Sequence, residues 1–147
     1  MHSVAVALAL VTVVLNALAA LVGAWAWQRF AAPRAFWIGL RAGQGAAVAQ
    51  ALFAGIAAAA GSRPDDGLYW LYALLPVAIG FVAEQLRLVS AEQVLENRGL
   101  PDARAVGALP EAEQRSIVLS VVRREMGVMA LAALVVALLA LRAAFIA

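Results

Sequence analysis

The chain has 147 residues, of which 65% are hydrophobic, with a mean hydropathy of +0.90 and a formal net charge of +2. A soluble domain is roughly 45–50% apolar, so a water-exposed fold has nowhere to put the surplus, and a single membrane domain over 1–147 is expected. Cysteine is absent, His2 is the only histidine and the arginines are interleaved with acids, which argues against disulfides, thiolate or histidine metal sites, haem and a nucleic-acid surface; no cofactor is expected.

Residues 4–27 are apolar apart from Thr12 and Asn16. About 20 such residues, rising about 1.5 Å each, cross a hydrocarbon core of about 30 Å. The run is too long for a secretion signal and has no basic flank, so it is read as an uncleaved first span. Trp25 and Trp27 form an interfacial belt at its far end. Gln28 to Arg34, with Pro33 and two arginines, is a short turn.

Residues 36–60 form the second span. Arg41 lies in its second turn, shallow enough to snorkel. Gln44 and Gln50 lie deeper. Gly39 and Gly43, with Ala46 and Ala47, place small residues at helical spacing, which lets another helix approach closely. Residues 61–67 are a turn by composition.

The third helix is expected over 68–98. Tyr69, Trp70 and Tyr72 form its entry belt, and Pro76 is expected to kink it. Its apolar run is short, so it leaves the membrane near Glu84 and continues. Leu88, Ala91, Val94/Leu95 and Arg98 share one side; Glu92, Gln93, Glu96 and Asn97 share the other. Gly99 followed by Leu100-Pro101 is a stop signal.

A connector over 99–109 follows, with room for one helical turn at 102–106. The fourth helix is expected over 110–146, Pro110 taking its first position with Glu111 and Glu113 near its positive end. Ile117, Val118, Val121 and Val122 form an apolar stripe; Glu113, Ser116, Ser120 and Arg123 face away. A helix of that length reaches about 55 Å, well beyond the lipid core. The expected fold is therefore an all-α integral membrane protein, a four-transmembrane-helix bundle whose third and fourth helices extend into a cytoplasmic helical hairpin, with the stripes Leu88/Ala91/Leu95 and Ile117/Val121 facing each other.

Residues 84–125 hold six of the eleven arginines and seven of the nine acids. Four spans put both chain ends on one side. The side of the hairpin then carries Arg29, Arg34, Arg41, Arg87, Arg98, Arg104, Arg115, Arg123 and Arg124, against Arg63 and Arg142 opposite. Nine against two is a positive-inside bias. It predicts a plasma (inner) membrane protein with a cytoplasmic hairpin and both ends outside. Arg142 is expected to snorkel, meeting Asp65, Asp66 or the terminal carboxylate.

Ionisable residues in spans are the first places to look for function. Arg41, Glu84, Gln85, Arg87, Arg124 and Glu125 fall at one level near the cytoplasmic interface. They are read either as a polar pocket or docking site centred on Arg41 and Glu84, or as interfacial charges that only set helix depth. Asn16, Gln44 and Gln50 at mid-depth are either a polar path or interhelical hydrogen bonds of about 1 kcal/mol each. No nucleophile elbow, phosphate loop or dinucleotide fingerprint is present.

In size, number of spans and topology, the chain is similar to the small membrane enzymes of eicosanoid and glutathione metabolism. The arginine–asparagine–glutamate motif of their second helix is missing, since the second span offers Arg41, Gln44 and Gln50, and their enzymology does not carry over. The leading expectation is a non-catalytic subunit or accessory protein that meets another membrane protein, or a second copy of itself, through Glu92, Glu96, Arg115 and Arg123. The alternatives are a homo-oligomeric small-solute or ion permease and, behind it, a lipid-facing enzyme.

Overall fold

The computed structural model describes residues 2–62 and 66–147. It is 87% helical, and among the described residues there is no strand. The elements are α1 (His2–Arg29), α2 (Arg34–Ala59), α3 (Tyr69–Asn97), α4 (Ala103–Gly107) and α5 (Glu111–Ile146). Among the described residues, α1, α2, α3 and α5 are each long and apolar enough to cross a membrane.

The helix ends follow from local chemistry. Gly99 takes the left-handed conformation (φ 68°), and the Leu100 and Gly99 amides bond back to the Leu95 and Glu96 carbonyls, closing α3. Gly61 (φ 83°) closes α2 the same way through Ser62 and Ala57. At the end of α1 the left-handed position falls on Phe30 (φ 51°), where a side chain costs about 1–2 kcal/mol. The Asp102 carboxylate accepts the Ala105 amide at 2.9 Å and caps α4, the turn expected at 102–106. Pro110 is the cap residue of α5, not its first helical residue: its carbonyl accepts the first helical bond, from Gln114, while its own backbone stays extended (ψ 147°). The turn after α2 is ordered on its far side by Asp66, whose Oδ1 accepts the Leu68 amide at 2.9 Å. Asp66 makes no ion pair with Arg142; Arg63 and Asp65 lie outside the described residues. α3 continues through Pro76, which is buried.

Packing is inverted relative to a water-soluble bundle. The buried positions are small: Ala9, Ala19, Ala26, Ala54, Ala73, Ala133 and Ala140 are each at most 2% exposed. The large apolar residues point out, with Leu21 69%, Ile38 70%, Leu52 63%, Phe81 65% and Phe145 76% exposed. Small residues allow close helix approach, and outward Leu, Ile and Phe suit a hydrocarbon surround. Around the bundle the order is α1, α2, α3, α5, with the most extensive contact between α1 and α5 and a looser seam between α2 and α3. Larger side chains fill the core at one level, where Phe36, Leu40, Met126 and Met129 are buried with Ala19, Ala26 and Ala83, and Tyr69 is buried with Ala5, Ala54 and Ala73 in a second, smaller cluster. At the other end His2 Nδ1 donates to the Ala147 oxygen at 2.7 Å, so the first and last helices finish side by side.

Beyond the apolar run, α3 and α5 remain in contact; the facing stripe on α3 differs from the expected one, while on α5 the expected Ile117 is buried. On α3 the buried line is Ala83, Ser90 and Val94, while Leu88 is 59% exposed. Ser90 can occupy this line because its hydroxyl donates to the Leu86 carbonyl at 2.8 Å. On α5 Ile117 is buried and Val118 exposed. Ser116 and Ser120, expected to face away, turn toward α3: Arg98 Nη2 donates to Ser116 Oγ at 3.0 Å and to Ser120 Oγ at 3.5 Å. A guanidinium of α3 thus bridges to two hydroxyls of α5 at the exposed edge of the seam.

Candidate functional site

The site grows from two helical pairs. Arg41 and Gln44 lie one turn apart on α2, and Glu84 and Arg87 one turn apart on α3, so each pair shares a face. The α2–α3 seam brings the faces together. Arg41 Nη1 donates to Glu84 Oε1 at 2.5 Å and to Gln44 Oε1 at 2.6 Å. Gln44 Nε2 donates to Glu84 Oε1 at 3.1 Å, and Arg87 Nε donates to Glu84 Oε2 at 2.9 Å. Both carboxylate oxygens are therefore occupied. The side chains of Glu84 and Arg87 are 23% and 27% exposed, and that of Arg41 is 52% exposed. The Arg87 guanidinium also lies 5.5 Å from the centre of the Trp37 ring, a cation–π contact.

Two guanidiniums share one carboxylate, so the cluster carries one net positive charge. Glu84 is in no position to act as a proton acceptor while Arg41, Gln44 and Arg87 all donate to it. The arrangement can hold helices in register or present arginine to an anion.

Of the six residues expected at this level, Arg41, Glu84 and Arg87 come together. Gln85 is exposed and outside the network. Arg124 is drawn instead to Gln93, its Nη2 donating to the Gln93 Oε1 across the α3–α5 seam. Glu125 is half-buried and forms no ion pair among the described residues. Gln44, assigned from sequence to the mid-depth group, belongs to the Glu84 network because Arg41 lies one turn before it.

The mid-depth group separates further. Asn16 is 1% exposed and its Nδ2 donates to the Thr12 carbonyl at 2.9 Å and to the Gly43 carbonyl of α2 at 3.1 Å. That is the interhelical hydrogen bond expected. Gln50 does not make one: it is 2% exposed and neither amide atom finds a protein partner. Gly43 is a point of close approach, whereas a side-chain carbon at Gly39 would meet only Ala19, at 4.0 Å. Gly23, not singled out from sequence, is the tightest: an added carbon would sit 2.5 Å from Phe36 and 2.8 Å from Ala130. The signal was available in the small-residue line Ala5, Ala9, Thr12, Asn16, Ala19, Gly23 and Ala26.

Among the residues expected on an outward docking face, Glu92, Glu96 and Arg115 are exposed and form no ion pair among the described residues. Arg123 is engaged elsewhere. Its guanidinium lies 4.8 Å from the centres of both the Trp27 and Phe30 rings, clasping the end of α1.

Comparison with models of known protein families, with curated proteins and with solved structures finds no match.

Proposed function

We propose that this chain is a four-span protein of the plasma (inner) membrane that performs no chemistry of its own and serves as a docking subunit of a larger membrane assembly. The outward-facing Leu, Ile and Phe side chains around an alanine core support insertion in a bilayer. The 36 residues of α5 span about 54 Å and the 29 of α3 about 44 Å. Both exceed a lipid core of about 30 Å. Their excess forms a helical hairpin on the arginine-rich side, which the positive-inside bias assigns to the cytoplasm, with both chain ends outside.

The observation that carries the docking role is the division of labour on the hairpin. Arg98, Ser116, Arg124 and Gln93 are spent on the α3–α5 seam. Glu92, Glu96 and Arg115 stand outward without intramolecular ion partners among the described residues. Exposed charges steer and orient partners. The permease alternative is favoured less, because Asn16 is satisfied within the bundle and Gln44 is drawn to its edge, leaving Gln50 isolated.

The test is co-purification in mild detergent with the paired reversals Glu96→Arg and Arg115→Glu. A partner, or a second copy, recovered in fixed ratio with the wild-type chain and lost from the reversed chain is the expected result. Recovery of the bare chain, or of a partner indifferent to both reversals, removes the reading.

A further inference from the structure

The loose seam between α2 and α3 opens into a cleft of about 230 Å³. Its walls are apolar, with Val48 from α2 and Val77, Gly80 and Phe81 from α3. One end is polar: Gln44 and Glu84 line it, and Arg41 donates to both. Val48, Val77 and Phe81 are exposed, so the cleft faces the surroundings of the bundle. Beneath Gly80 there is open space; nothing lies within 4 Å of a carbon added there.

The polar end is not electrically closed. Glu84 spends its charge on two arginines, and one positive charge is left over. Arginine carries five N–H donors. Arg41 uses only Nη1, so its Nε and Nη2 have no partner among the described residues, and its side chain is 52% exposed. Arg87 uses only Nε, with its Cζ 5.5 Å from the centre of the Trp37 ring. Guanidiniums with donors to spare, both bonded to the Glu84 carboxylate that lines the head of an apolar cleft, match a phosphate joined to a hydrocarbon chain. A free phosphate has no use for the apolar walls, and an uncharged lipid leaves the surplus charge unanswered.

We propose that the α2–α3 cleft binds one anionic phospholipid of the surrounding bilayer, its phosphate on Arg41 and Arg87 and one acyl chain between Val48 and Phe81. This rests on the bilayer placement proposed above but not on the docking partner. The site at Arg41 and Glu84 is then a lipid-headgroup seat as well as a helix clamp.

The full chain reconstituted in liposomes of phosphatidylcholine with phosphatidylglycerol as the minor component, extracted in mild detergent and weighed by native mass spectrometry, tests it. One phosphatidylglycerol retained per chain, in preference to phosphatidylcholine, is expected. Arg41→Gln should weaken that retention by about tenfold, the scale of one charge-assisted hydrogen bond. Gly80→Leu fills the cleft with the arginines intact and should abolish it; Val77→Phe repeats the test from the rim should the first variant fold poorly. Ala24→Leu, in the groove between α1 and α5, should leave retention unchanged. Equal retention of both lipids, or phosphatidylglycerol retention that survives Gly80→Leu and Val77→Phe, shows surrounding lipid only and overturns the site. Displacement of the lipid by inorganic phosphate alone overturns the acyl-chain seat. A chain that floats with the liposomes yet retains no lipid refutes this inference alone; one that does not float refutes the bilayer placement itself.

Discussion

Asn16 of α1 donates to the backbone carbonyl of Gly43 on α2 at 3.1 Å, and the absence of a side chain at 43 is what lets it do so. A carbon added at Gly43 would sit 2.8 Å from Asn16 Cγ, Nδ2 and Oδ1. Asn16 cannot swing aside without giving up a buried hydrogen bond. Gly43→Ala is expected to destabilise the bundle by about 1–3 kcal/mol, read as a lower melting temperature in mild detergent. Pairing it with Asn16→Ala should recover part of the loss, since the clash disappears. No recovery would show that the two residues are uncoupled.

Gly23 presents the harder case. Its missing side chain leaves room for the Phe36 ring and Ala130, so three helices converge there. Phe36 is fully buried, so its ring has close neighbours on every side. Gly23→Ala is expected to cost more than Gly43→Ala, and Gly39→Ala, with only Ala19 at 4.0 Å, to cost almost nothing. Thermal melts of the three single variants, ranked in that order, check the packing.

Gln50 predicts a gain. Its amide is buried and unpartnered within the chain, and an unsatisfied polar group carries a penalty that an apolar replacement of similar size removes. Gln50→Leu is expected to raise stability by about 1 kcal/mol. A fall in melting temperature would mean that the amide has a partner outside this chain.

Glu84 predicts a coupled loss. Glu84→Gln leaves two guanidiniums without their shared anion, and part exposure limits the cost to about 1 kcal/mol. Arg41→Gln alone should cost less, because Arg87 still neutralises the carboxylate. In a double-mutant cycle the two changes should be non-additive, and the coupling should shrink as salt is raised. Additive losses would separate Arg41 from the clamp.

Arg98 predicts a local opening. It bridges α3 to Ser116 and Ser120 near the tip of both helices. Arg98→Ala is expected to speed amide hydrogen exchange over residues 90–98 and 114–120 while leaving the rest of the bundle protected. Uniform exchange across the chain would place the stability of the tip elsewhere.

That the chain forms four long apolar helices was legible because it follows from composition, and a few strong signals mark where two of them meet the connector. Gly99 before Leu100-Pro101 ended α3, and Pro110 opened α5. What was not legible is azimuth. Leu88 and Leu95 attract the eye as a stripe, yet Ser90 is buried beside Val94 of the expected side, because a small residue allows closer approach and a hydroxyl can satisfy itself on its own helix. In a chain where apolar residues occur on every side of a helix, hydrophobicity does not say which side is inside; size does. The Arg41–Glu84 pair was readable from depth alone, but Gln44 joined it for a reason of helical phase, and Arg123 left the outer face because aromatic rings of α1 lay within reach.

The extensive pairing of α1 with α5 has a consequence in time. The ribosome makes α1 before α5, and chains grow at about 5–20 residues per second. Through most of that interval the line of small residues on α1 has no mate, and Trp27 and Phe30 await the arginine that will clasp them. The bundle can close only once α5 has been made, so a nascent chain halted in the polar stretch before α5 is left with its principal seam unmade.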